Sequence, residues 1–155
     1  MLVQLSKAFA VITVASVLCL GAFGQAQQPK RNWKDRAEYD LYESILKEKN
    51  PTKKLELINT WKSKYPKTDF EQERFLATVD AYRGLNQGAK IVDVAKERLT
   101  EDPKDFTALY WIAFLTPVLP SPSAEAQDEA VKAANGMIAN IRATIAASFR
   151  IPARG

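Results

Sequence analysis

The sequence predicts an all-α protein of antiparallel helical hairpins. Three observations carry this. Apolar residues recur three and four apart through most of residues 34 to 148. Proline, glycine and asparagine interrupt that pattern at short intervals, as they do between packed helices. No run alternates apolar and polar residues with the period of a half-buried strand.

Residues 1 to 24 read as an export signal. They hold one charge, Lys7, then the uncharged run Ala8 to Leu20, then the small residues Gly21, Ala22 and Gly24. The apolar run is short against the roughly 20 residues that span a bilayer, so no integral membrane span is expected after cleavage; the competing reading is a chain anchored by the uncleaved N-terminal segment. Leu18 before Cys19 argues against a lipid-bearing cysteine. Cleavage removes Lys7 and no acid, leaving 21 basic against 18 acidic residues, a net +3. It also removes the one Cys of a chain without His. A Ser-His-Asp triad, a Cys-His pair, a histidine zinc site and a disulfide scaffold are all excluded.

Residues 25 to 33 read as a flexible linker, with Trp33 as a staple against the first hairpin. The first helix is expected over 34–49, with Ala37, Leu41, Tyr42, Ile45 and Leu46 inward. Asn50-Pro51 stops it and starts the second, since Asn caps well and Pro loses no needed donor at a first helical position. Leu55, Ile58, Trp61 and Tyr65 form its stripe, and Pro66 ends it. The third helix covers about 69–85, with Phe75, Leu76, Val79 and Tyr82 inward; Gly84, Asn86 and Gly88 supply the turn. The fourth covers about 89–100 around Ile91, Val92, Ala95 and Leu99. The fifth, about 105–115, is nearly all apolar and is expected to be buried on most sides, Trp111 included. Three prolines make 116–122 a loop. The sixth runs about 123–148 on Val131, Ala134, Ile138, Ile141 and Ile145. Most of these helices are too short to be stable alone and need stacking.

Pro66 and Pro103 close two second helices 37 residues apart, and fixed periods mark repeat architectures. Counting back from Pro103, Asp102, Leu99, Tyr82 and Phe75 fall where the tetratricopeptide repeat carries its late Asp and Leu, its tyrosine and its early aromatic. Leu41 matches the early leucine of the unit before, and Asn50-Pro51 lands on its inter-helix turn. Residues 35 to 145 thus resemble the tetratricopeptide family, and Trp61-x-x-x-Tyr65-Pro66 resembles the variant in exported bacterial envelope proteins. Lys54 and Trp61 depart from it, standing where small alanines are usual. The resemblance divides the domain 34–148 into units of about 34–66, 69–103 and 104–148, followed by a basic tail, 149–155. It implies a short right-handed superhelix whose first helices line a peptide-binding groove. That register places Arg36, Tyr39, Glu43 and Lys47 (with Asp40) in the groove from unit one. Glu73, Leu76, Asp80 and Arg83 come from unit two, and Ile112 and Leu115 (with Leu109) from unit three.

Seven lysines, at 47, 49, 53, 54, 62, 64 and 67, stand against Glu48 and Glu56 in one stretch. They read as a solvated face; nucleic acid is not the expected partner of an exported chain. Glu71, Glu73, Asp102 and Asp105 fall where first-turn acids suit the helix dipole. No phosphate-cradling glycine loop or metal-ligand spacing is present. The expected function is a non-catalytic, cofactor-free scaffold, periplasmic or secreted, that binds a protein or peptide. The alternative is an accessory or truncated repeat fragment that self-associates through an apolar last helix, because no polar capping helix follows it.

Overall fold

The computed structural model describes residues 31–149. The expected signal peptide, the linker up to residue 30 and the basic tail beyond Phe149 lie outside the described residues. Six α-helices follow in order: α1 (Arg36–Lys47), α2 (Pro51–Lys64), α3 (Glu71–Gly84), α4 (Gly88–Glu101), α5 (Phe106–Leu115) and α6 (Ala124–Ser148). Among the described residues there is no strand. A 3-10 turn, Thr116–Val118, opens the prolyl loop after α5.

Local chemistry sets four of the starts. Asp35 accepts from the Glu38 amide at 2.8 Å. Asn50 accepts from Thr52 and Lys53 at 3.0 and 3.1 Å, with Pro51 at the first helical position. Asp105 accepts from Ala108 at 3.0 Å, and Ser123 from Ala126 at 3.2 Å. Each such cap satisfies an otherwise unpaired donor. Neither α3 nor α4 has a side-chain cap at its Ncap residue. In the α3–α4 turn the left-handed residue is Asn86, at φ 57°, while the flanking Gly84 and Gly88 lie inside helices.

Each helix packs chiefly on its neighbours in sequence, so the hairpins form a row rather than a ball. Two apolar clusters result. Ile45 of α1 and Ile58 and Trp61 of α2 are fully buried with Ala81 of α3. Phe75 and Val79 of α3 join Ile91, Val92 and Ala95 of α4, Ala108, Leu109 and Ile112 of α5, and Ala133 of α6. α3 therefore serves both clusters from two faces. Trp33 holds the first hairpin as the sequence suggests, stacked on Phe70 with centroids 3.4 Å apart and 5.1 Å from Tyr42.

The apolar stripes differ from expectation at three places. Ala37, Leu46 and Leu76 are exposed rather than inward, because Glu38, Ile45 and Phe75, each one position away, already point at the neighbours. α5 is not buried on most sides: Phe106, Tyr110 and Phe114 face out. A ten-residue helix flanked by α4 and α6 leaves a third face uncovered. On α6 the isoleucine stripe is the exposed one, and the small residues Ala130 and Ala133 make the contact. Small side chains let α6 approach closely: a Cβ at Gly136 would sit 3.4 Å from the Leu109 methyls.

Candidate functional site

A groove of about 860 Å³ opens where the α1–α2 loop, the end of α3, the start of α4 and the outer face of α5 meet. Its apolar wall is aromatic. Tyr110 and Phe114, one turn apart on α5, stack nearly parallel, 7° and 5.5 Å between centroids. Trp111 stands edge-on to both, at 5.2 and 6.5 Å. Tyr110 is 38% and Phe114 55% exposed, so these rings do not finish the core. They offer an open apolar platform.

The opposite wall is charged. Lys54 reaches Asp80 at 2.6 Å, and the Arg83 guanidinium lies 5.9 Å from the Trp111 ring centre. Lys49 completes the set. The starts of α2 and α4 and the ends of α3 and α5 all border the groove, so the helix dipoles largely offset one another. The side chains decide the sign: three cations against one carboxylate. Of the cations, Lys54 alone has an acid partner among the described residues.

Of the residues placed in a groove by the repeat register, Asp80, Arg83 and Leu115 line this one. Ile112 does not, being 3% exposed in the core between α4, α5 and α6. Leu76 is exposed, and Glu73 is half-buried in the first turn of α3; neither lines the groove. On α1, Tyr39 donates to Glu43 at 2.7 Å and Lys47 pairs with the same carboxylate at 2.8 Å. Lys47 and Tyr39 together hold the Glu43 carboxyl below its usual range, and the Tyr39 phenol is raised in return. Arg36 pairs with Asp40 at 2.7 Å. These α1 groups satisfy one another along the helix and do not line the groove.

The aromatic wall was the part sequence reasoning missed. Its signal is that α5 carries no charge, so any uncovered face must be apolar. Lys54 reads in the sequence as a departure from the repeat pattern and as part of a basic stretch, three of whose lysines pair with Glu43, Asp80 and Glu97.

Among the described residues no group of His, Cys, Asp or Glu is placed to hold a metal ion, and no helix is long and apolar enough to cross a membrane. Comparison with protein-family models, with curated proteins and with solved structures found no match.

Proposed function

We propose that this chain is an exported, non-catalytic helical-repeat scaffold of tetratricopeptide type, acting in a bacterial cell envelope. It works by holding an acidic, partly apolar segment of a partner protein in the groove between α3 and α5. The observation that carries this reading is the exposed Tyr110–Phe114 stack facing Arg83 and Lys49. Apolar side chains of the segment lie on the rings, and its carboxylates meet the cations. The sequence-level support is the repeat register, the signal-like residues 1 to 24 and the missing imidazole.

A random peptide display selection against the protein tests it. Enriched peptides should combine aspartate or glutamate with an aromatic or aliphatic residue. Phe114→Ser and Arg83→Glu should each weaken them about tenfold or more, and Arg36→Ala on α1 should not. No enrichment, or equal binding to the groove variants, would sink the reading.

A further inference from the structure

α6 carries two apolar seams and fills only one. The inner seam runs through Ala130, Ala133 and Met137, with the polar Asn140 one turn beyond. It packs on α5, and the Asn140 amide donates to the Lys104 carbonyl at 2.9 Å. The outer seam is Val131, Ala134, Ile138, Ile141 and Ile145, spaced by three and four, with Phe149 one turn beyond. Val131 is 61% exposed, Ile145 52% and Phe149 79%, and Ile138 and Ile141 are nearly half exposed. At about 100° per residue the two seams lie about 100° apart round the helix. α3 shows what such a helix does inside the row: it turns Phe75 and Val79 to one cluster and Ala81 to the other. α6 has the residues for a second neighbour and no such neighbour among the described residues.

We propose that this outer seam pairs with the same seam of a second copy, antiparallel, about a two-fold axis near Asn135 and Gly136. This makes specific the self-association expected of the last helix. The charges beside the seam select this occupant and this direction. Asp128 and Arg142 flank the seam on one side, each seven residues from Asn135. Neither has an ion-pair partner among the described residues. In the antiparallel pair Asp128 faces Arg142 of the second copy, twice over by symmetry. In a parallel pair they would instead face Ser123 and Met137 of the other copy and gain nothing. The layers also match in size: Val131 meets Ile141 of the second copy, and Ala134 meets Ile138. The exposed seam offers on the order of 1,000 Å² across the pair, the lower bound for a specific interface.

The seam shares no residue with the aromatic groove, so dimerisation and peptide binding stand or fall separately. Sedimentation equilibrium of the full chain over a wide concentration range tests the dimer. A monomer–dimer equilibrium is expected. Ile138→Lys should abolish it with the circular dichroism spectrum unchanged, since that side chain already faces solvent. Asp128→Arg and Arg142→Asp should each weaken the dimer about tenfold, since each turns two attractions into repulsions. An equimolar mixture of the two variants should dimerise as tightly as the parent. In the mixed pair one copy presents two cations beside the seam and the other two carboxylates, so both facing pairs attract again. A parent chain that stays monomeric overturns the proposal, whatever other segment or protein covers the seam. So does a dimer indifferent to Ile138→Lys, or a mixture no tighter than either variant alone.

Discussion

The Trp61 indole donates to the Glu38 carboxylate at 2.9 Å across a separation of 23 residues, and both side chains are fully buried. The other carboxylate oxygen accepts from the Lys34 amide at 2.7 Å. One acid thus joins α2, α1 and the segment leading into α1. Both oxygens meet donors, so only a carboxylate serves.

Glu38→Gln places an amide NH₂ against one of those donors in either orientation. A loss of about 1–2 kcal/mol is expected. Trp61→Phe removes the indole N–H and leaves a buried carboxylate oxygen unpaired as well as a small void, at about 3 kcal/mol. Urea unfolding followed by circular dichroism measures both. Equal stability of Glu38→Gln and the parent would show that the second donor does not matter.

Arg74 performs a similar task at the α2–α3 connection. It is 5% exposed, donates to the Tyr65 carbonyl at 2.6 Å and the Pro66 carbonyl at 3.2 Å, and pairs with Glu71. Its guanidinium also lies 5.8 Å from the Trp61 ring centre. A planar fork reaches several acceptors that an ammonium cannot. Arg74→Lys should therefore cost about 2 kcal/mol, and Arg74→Met about 3 kcal/mol by leaving the carbonyls and Glu71 unpaired. The same unfolding experiment decides; a neutral Arg74→Lys would mean that charge alone matters.

Helix positions were legible in the sequence because they depend on local signals. Asn50-Pro51 starts α2 as its cap chemistry predicts, and α5 and α6 start within a residue or two of where the apolar pattern places them, with Asp105 a cap rather than a first-turn acid. Which face of a helix is covered is a property of the neighbours, which the apolar spacing within one helix does not carry. On α6 the large apolar stripe looked like the inward one, yet close approach to Leu109 selects Ala130, Ala133 and Gly136 instead. The groove followed the same rule. Asp80 and Arg83, which the repeat resemblance leads one to expect in a groove, line this one, whereas Tyr110 and Phe114 are open because no described residue packs over α5 there. Glu38 and Arg74 were illegible as buried groups, since partners 23 and 9 residues away create their sites.

Two tyrosine–carboxylate bonds, Tyr39–Glu43 and Tyr65–Asp35, tie stability to pH. Tyr65 donates to Asp35 at 2.8 Å. The Glu38 amide and that phenol hold the Asp35 carboxyl below its ordinary value of 3.8, and the same carboxylate holds the phenol above 10.0. The depressed acid stabilises fully above its unfolded pKa and loses that contribution as pH falls through the folded one. The raised phenol stabilises fully below its unfolded pKa and loses that contribution as pH rises through the folded one. With no histidine in the chain, the urea midpoint should be flat from about pH 5 to 9. The gap between the parent and Tyr65→Phe should be constant there and close at both extremes. A gap that varies near neutrality would refute this assignment.

Two glycines should respond to the same substitution with opposite signs. A Cβ on Gly84 would meet the Pro51 ring at 2.6 Å. A proline ring cannot swing away, and Pro51 is fixed at the start of α2. Gly84→Ala should therefore destabilise by about 1–3 kcal/mol through overpacking. Pro51→Ala in the same chain should recover part of that loss, giving a coupling energy in a double-mutant cycle. A Cβ on Gly136 meets only Leu109 methyls at 3.4 Å, an ordinary contact that a leucine can adjust. Gly136 lies inside α6, where glycine costs up to about 1 kcal/mol relative to alanine. Gly136→Ala should thus stabilise by up to about 1 kcal/mol. Thermal and urea unfolding of the three variants and the double variant test both signs at once. If Gly136→Ala destabilises as Gly84→Ala does, α6 sits closer to α5 than a methyl allows, and the small-residue contact is tighter than described.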